Sequence, residues 1–158
     1  LLARHGGHAA AAGFTVRTEN LDALRQRLKA IAAERLGGVE LKPVLEIDAE
    51  VALETLDWDT ISALKMIEPC GMDNPQPVFL SRAVEVRGRR PIGSDGKHLK
   101  LLLVDGRGVA WDAIFFRQGA LSPDIPHRVD IAYRLGVNEW NHQKRLQLEI
   151  QDLGESSA

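Results

Sequence analysis

Leu99-Lys100-Leu101-Leu102-Leu103-Val104, closed by Asp105-Gly106, is the stretch on which the fold turns. Side chains of a strand alternate between faces, so Leu99, Leu101 and Leu103 share one side. His98, Lys100 and Leu102 share the other, and its polar members mark it as exposed. Asp-Gly directly after such a run is a strong hairpin signal, and Val109–Phe116 supplies the returning strand. Working outward, Val78–Val86 precedes a turn-rich loop from Gly88 to Lys97. A loop with Gly119, Pro123 and Pro126 leads to Arg128–Leu135, and Leu146–Ile150 comes last. Five short strands with an interruption after the third predict a small Greek-key barrel of the OB type. An SH3-like barrel or a small sandwich would give similar strand counts.

Parity then assigns a binding face. In the strand ending near Phe116, Arg117 shares parity with Phe115, Ala113 and Trp111, whereas Ile114 and Phe116 alternate with them. With Arg117 facing water, Ile114 and Phe116 enter the core, and Trp111 and Phe115 lie outside beside Lys100. Exposed aromatics between basic residues suit base stacking and phosphate neutralisation. Arg87, Arg89, Arg90, Lys97 and His98 flank the first connecting loop; Trp140, His142, Lys144 and Arg145 occupy the last. The alternative is that Trp111 or Phe115 packs against a neighbouring domain.

The first half reads as α/β. Gly6-Gly7-His8 runs into Ala9–Ala12, then Gly13-Phe14-Thr15-Val16. Alanine is the best helix former, so a helix is expected where the glycines stop. Its unpartnered first-turn amides would make an anion site, with His8 as a further donor. The bland alternative is a tight turn. Leu21, Leu24, Leu28, Ile31, Ala32 and Leu36 form one helical stripe, with Asn20 as N-cap and Gly37-Gly38 as stop. A strand is expected over Leu41–Ile47. A second helix is expected from Asp57 or Thr60, carrying Ile61, Leu64 and Ile67 and ending before Pro69. Glu68 to Pro77 holds three prolines, a glycine, an Asn and an Asp, and reads as a rigid connector.

Composition sets the bounds. The 158 residues are 44% hydrophobic, with no apolar run long enough for a membrane helix and no targeting segment at the start. One cysteine, Cys70, excludes an internal disulfide and suits a reducing, cytoplasmic setting. Net charge is −2, divided unevenly: residues 1–77 hold 8 Lys+Arg and 12 Asp+Glu, residues 78–158 hold 12 and 10. That asymmetry favours a nucleic-acid partner for the second half. No cluster of aspartate and histidine suited to a metal is visible, so neither a metal site nor a catalytic residue is assigned. The start at Leu1, only a few residues before the glycines, reads as the C-terminal piece of a longer chain.

Three motifs carry a resemblance. Gly6-Gly7-His8 with Ala11-Ala12-Gly13-Phe14 looks like the GGH motif of the domain that accompanies DHH phosphoesterases. Pro69-Cys70-Gly71-Met72-Asp73-Asn74-Pro75-Gln76-Pro77-Val78-Phe79 resembles the connector signature of the RecJ family, with Cys70 in place of an aromatic and Asp73 in place of a glycine. Lys97-His98-Leu99-Lys100, Val129 to Leu135, Asn138-Glu139-Trp140 and Leu146-Gln147-Leu148 resemble that family's OB domain. The resemblance implies an α+β chain with four parts. These are the end of a DHH-associated domain (1–56), a helix and connector (57–77), a five-stranded OB barrel (78–153) and a tail (154–158). It further implies a single-strand-specific 5′ exonuclease of repair and recombination, whose Mn2+ or Mg2+ sits in an N-terminal DHH domain absent here. Gly6, Gly7 and His8 would grip substrate phosphate. The expected partners are single-stranded DNA, the DHH domain and other repair proteins, with no membrane. The alternatives are a nucleotide-specific DHH phosphoesterase fragment, which the barrel disfavours, and a protein-interaction barrel docking partners through Trp111 and Trp140.

Overall fold

The apolar alternation of Leu99–Val104 belongs to a closed barrel. The structure is a computed structural model describing residues 1–40 and 42–156, and it divides into two units, Leu1–Val44 and Leu45–Ala158.

In the second unit the barrel strands are β4 (Phe79–Ile92), β5 (His98–Val104), β6 (Ala110–Phe115), β7 (Arg128–Trp140) and β8 (Gln143–Glu155). They pair in the order β4-β5-β6-β8-β7, and β7 returns to β4. All neighbours are antiparallel except β6 and β8, which run parallel. That single parallel pair in an otherwise antiparallel closed sheet is the OB topology. Leu99, Leu101, Leu103, Val129, Ile131, Tyr133 and Leu148 are fully buried inside it. Burying each Leu contributes roughly 1.5–3 kcal/mol, so the barrel holds most of the chain's stability. Leu53, Leu56 and Ile61 join this core from the segment before the first barrel strand.

The connector side follows expectation. Helix α2 spans Trp58–Leu64 and continues as a 3-10 turn over Lys65–Ile67. Asp57 caps it through the Thr60 N–H at 2.8 Å, and the Thr60 hydroxyl returns to the Asp57 N–H in a capping box. From Pro69 to Val78 no regular element forms.

The strand expected over 41–47 is not found. Leu41 lies outside the described residues, and 42–47 are irregular, with Val44 85% exposed. Instead the two-residue β3 (Ala49–Glu50) adds in parallel to β4 at Phe79-Leu80. Pro43 gives no N–H to a ladder, which weakens any strand there.

Three barrel strands are longer than the sequence reading allows. β4 continues through Arg87, Arg89 and Arg90, so these are strand residues and not loop residues. Arg87 falls at a bulge where the register to β5 shifts between Val86 and Gly88, and such bulges let a long strand curve around a barrel. β7 and β8 likewise extend to meet at Asn141-His142. Both residues of that turn have positive φ, 49° and 60°, the geometry of a type I′ hairpin turn. β8 runs through Glu155, and Ser157 and Ala158 lie outside the described residues.

The first unit corrects the helix expected at Ala9–Ala12. β1 (Leu2–His8) and β2 (Ala11–Val16) form an antiparallel hairpin turning at Ala9-Ala10. Gly6 and Gly7 belong to a strand, so no helix N-terminus follows them. A four-residue alanine run is too short to repay helix nucleation, whereas Phe14-Thr15-Val16 has strand preference. Gly7 faces Ala12, and a Cβ there would come within 2.5 Å of the Ala11 carbonyl oxygen. α1 (Leu21–Leu36) forms as expected, with Asn20 and Gly37 at its ends, although the Asn20 side chain makes no cap bond.

Candidate nucleic-acid interface

Strand register decides which side chains share the barrel's outer surface. Leu99 opposes Phe115, Leu101 opposes Ala113 and Leu103 opposes Trp111. Directly opposed residues point to the same face, so Trp111 and Phe115 go inward with the leucines. They are 7% and 8% exposed, whereas Phe116 is 49% exposed. The parity expected from sequence is therefore reversed. Arg117, which anchored it, lies beyond the end of β6 with φ 61°, and the alternation does not extend to it. Trp111 also donates its indole N–H to Asp105 at 3.3 Å.

The outer face has a different membership. Lys100 opposes Arg90 on one side and Ile114 on the other; Leu102 opposes Gly88 and Asp112. Gln147 on β8 continues the second row beside Asp112. A methyl at Gly88 would stand 3.2 Å from the Leu102 Cβ, so glycine leaves the leucine's side open. Ahead of these rows a groove runs between Arg90, Lys100, Asp112, Trp140, Arg145 and Gln147. Four strands thus place three cations and one 74% exposed indole around one depression, and β6 adds the Asp112 carboxylate.

Several basic residues, Lys100 of the groove among them, are engaged in local pairs. Lys100 Nζ lies 2.9 Å from Asp112. Arg87 donates to Glu85 at 2.7 Å; that bond, opposed by burial, holds the Glu85 carboxyl below its ordinary range. Arg89 donates to the Ile125 carbonyl across the barrel's end, which makes it a structural brace. Lys97 sits 3.5 Å from Asp95, and Lys144 3.6 Å from Glu139. These exposed pairs are worth little and can exchange for phosphate. Lys144 and Arg145 stand on β8, since the last connection is only Asn141-His142. Arg90 and Arg117 have no carboxylate partner among the described residues; Arg145 bonds only the Gln143 amide oxygen, at 3.3 Å.

Next to this groove, the His98 ring meets Phe116 edge-on at 5.3 Å and accepts the Arg117 N–H at 3.0 Å. Phe116 is the surface aromatic that the sequence reading placed in the core. The Asp105-Gly106 signal alone would not have found it: a two-residue turn there pairs Val104 with Arg107, whereas the connection runs over residues 105–109 and pairs Val104 with Ala110.

In the first unit Gly6, Gly7 and His8 are exposed on β1, and His8 Nδ1 accepts the Ala10 N–H at 3.2 Å across the hairpin turn. Among the described residues no group of three or more His, Cys, Asp or Glu converges, so these residues do not fit a divalent-metal centre. Among the described residues no helix is long and apolar enough to cross a membrane.

Comparison with known proteins fits this geometry. Residues 47–152 match the family model described as the RecJ OB domain. The chain belongs to the RecJ OB family. A relative from Bacillus subtilis (strain 168) is 33% identical over 154 residues, covering 96% of this chain and 20% of the relative. One from Dickeya dadantii (strain 3937) is 34% identical over 156 residues, covering 97% and 27%. Both are named single-stranded-DNA-specific exonuclease RecJ. Among solved structures, RecJ from Thermus thermophilus in complex with Mn2+ matches with TM-score 0.76 and 29% identity, covering all of this chain and 22% of that one. The chain thus spans about a fifth to a quarter of the length of the RecJ relatives it matches.

Proposed function

We propose that this chain is the C-terminal substrate-binding part of a metal-dependent, single-stranded-DNA-specific 5′ exonuclease of the cytoplasm, acting in repair and recombination. The observation that carries the reading is the outer groove of a RecJ OB barrel ringed by Arg90, Lys100, Arg145 and Trp140. Single-strand binding needs a cationic track for phosphates and aromatic faces for bases. Arg90, Arg145 and Arg117 supply the first, with Lys100 and Lys144 once they release their carboxylates. Trp140 and the His98–Phe116 pair supply the second. Arg87, Arg89 and Lys97 flank this track, while Trp111 and Phe115 support it from inside. Gly6, Gly7 and His8 are assigned to phosphate gripping by their motif alone, at the end of a DHH-associated domain. Catalytic ions are assigned to the N-terminal DHH domain of the same, longer polypeptide, which is the intramolecular partner of these residues.

The test is titration of labelled single-stranded and duplex DNA at several salt concentrations. Selective single-strand binding is expected, with a steep salt dependence. Arg145→Ala should reduce its log–log slope by about 0.7 for each phosphate left without a cation. Trp140→Ala should weaken binding by roughly 1–3 kcal/mol with little change in slope. Equal affinity for duplex, or no binding, would overturn the reading. With Mn2+ or Mg2+ added, the chain alone should leave single strands uncut; digestion abolished by a chelator would place a nuclease centre in it.

A further inference from the structure

We propose a nucleobase pocket beside the barrel, walled by Trp58 of α2, that takes one base of the single strand crossing the outer groove. The inference rests on the nucleic-acid reading above and extends its footprint off the barrel. Trp58 is 48% exposed, although it opens a helix whose Ile61 is buried in the barrel core. Its position is fixed by the Asp57–Thr60 capping box on one side and that anchor on the other. The backbone that carries the indole is thus ordered before binding, which lowers the ordering cost of a contact there.

The indole borders a cavity of about 620 Å³ whose other walls include Leu102, Val109 and Asp112, with Lys144 and Arg145 at the rim. Leu102 and Asp112 also belong to the outer face, and Asp112 and Arg145 line the groove below Trp140. The two depressions are therefore neighbours that share Asp112 and Arg145 in their walls. The chemistry selects the occupant. Trp58, Leu102 and Val109 offer flat apolar sides; the Asp57 and Asp112 carboxylates offer acceptors to an amino-bearing edge; Lys144 and Arg145 offer cations to an attached phosphate. Apolar faces, a donor edge and an anion on the far side together describe a nucleotide. An apolar peptide segment would strip water from four charged groups, Asp57, Asp112, Lys144 and Arg145, and offer them nothing in return, a costly arrangement.

Binding of single strands of graded length to the 158-residue chain tests this, using wild type, Trp58→Ala, Trp58→Phe and Trp140→Ala. Beyond the length that fills the outer groove, wild type should gain affinity. Trp58→Ala should lose that gain, by about tenfold or more, while binding short strands normally. Trp58→Phe should restore most of it. In a Trp140→Phe background the only exposed indole left is Trp58, and adding a long strand should quench its fluorescence. If Trp140→Ala and Arg145→Ala weaken binding while Trp58→Ala matches wild type at every length, this pocket falls and the outer groove stands. If wild type binds no single strand, both fall together. A dimer that Trp58→Ala dissociates would assign the cavity to a second copy and overturn the proposal.

Discussion

Tyr133 is the residue whose chemistry most directly reports the barrel's integrity. Its ring is fully buried, 6.1 Å from that of Phe79, and its hydroxyl lies 2.9 Å from Ser81 Oγ, which itself donates to the Val51 carbonyl. Burial, only partly offset by the Ser81 bond, pushes the phenol up to about 12 from an ordinary 10.0. A raised acid holds its proton longer in the fold than in the unfolded chain. Its contribution to stability is therefore complete below pH 10 and is lost as pH rises toward 12. Because the chain has one tyrosine, its ultraviolet titration is unambiguous. The native midpoint should lie near 12 and fall to about 10 in denaturant; a native midpoint near 10 would mean the hydroxyl reaches water. Acid acts on other groups. Asp130 accepts from the Ala83 N–H and Arg82, and these bonds hold its carboxyl below 3.8. The stability it contributes is present above about pH 4 and is lost as pH falls further.

Among the elements, β6 shows what the sequence could and could not yield. Its existence, its hairpin to β5 and the buried leucines opposite were all legible, because alternation and Asp-Gly turns are local signals. Which face its aromatics took was not legible from Arg117, because a polar residue past a strand's end obeys the turn and not the pleat. Ala9–Ala12 failed for a related reason: propensity at four residues is weak against a pairing with β1 that only the fold reveals. The arginines of β4 were hidden because a bulge at Arg87 lets the strand outlast its apolar pattern. The corrected register yields a sharp comparison. Phe115→Ala should empty part of the core and cost about 3–5 kcal/mol, lowering the melting temperature without touching bound DNA. Phe116→Ala should cost little stability, since the side chain is half exposed, yet weaken single-strand binding by roughly 1–3 kcal/mol. Exchanged phenotypes in paired melting and binding measurements would refute the register.

At the scale of the whole molecule, the two units differ in how much they hold together by themselves. The barrel's hydrophobic cluster runs from Leu53 to Ile150 and takes no residue from Leu1–Val44. In the first unit Leu24 is the one buried apolar residue described, while Phe14, Leu21, Leu28 and Leu36 stay roughly half exposed. The α1 stripe was readable from its three- and four-residue spacing, but most of it has no core of its own in this unit. Stability should follow this division. A chain of residues 45–158 should fold cooperatively and melt within a few degrees of the 158-residue chain, because the side chains that drive the transition are all retained. Hydrogen exchange on the longer chain should show slow amides across β4 to β8 and fast ones over β1, β2 and α1. The shorter chain should also bind single strands with the same salt slope, since every cation of the outer groove lies after residue 78. If deleting residues 1–44 abolishes the cooperative transition, the barrel draws stability from the first unit and the division is wrong. If folding survives but binding is lost, the hairpin carrying Gly6, Gly7 and His8 contributes to the DNA site within this chain.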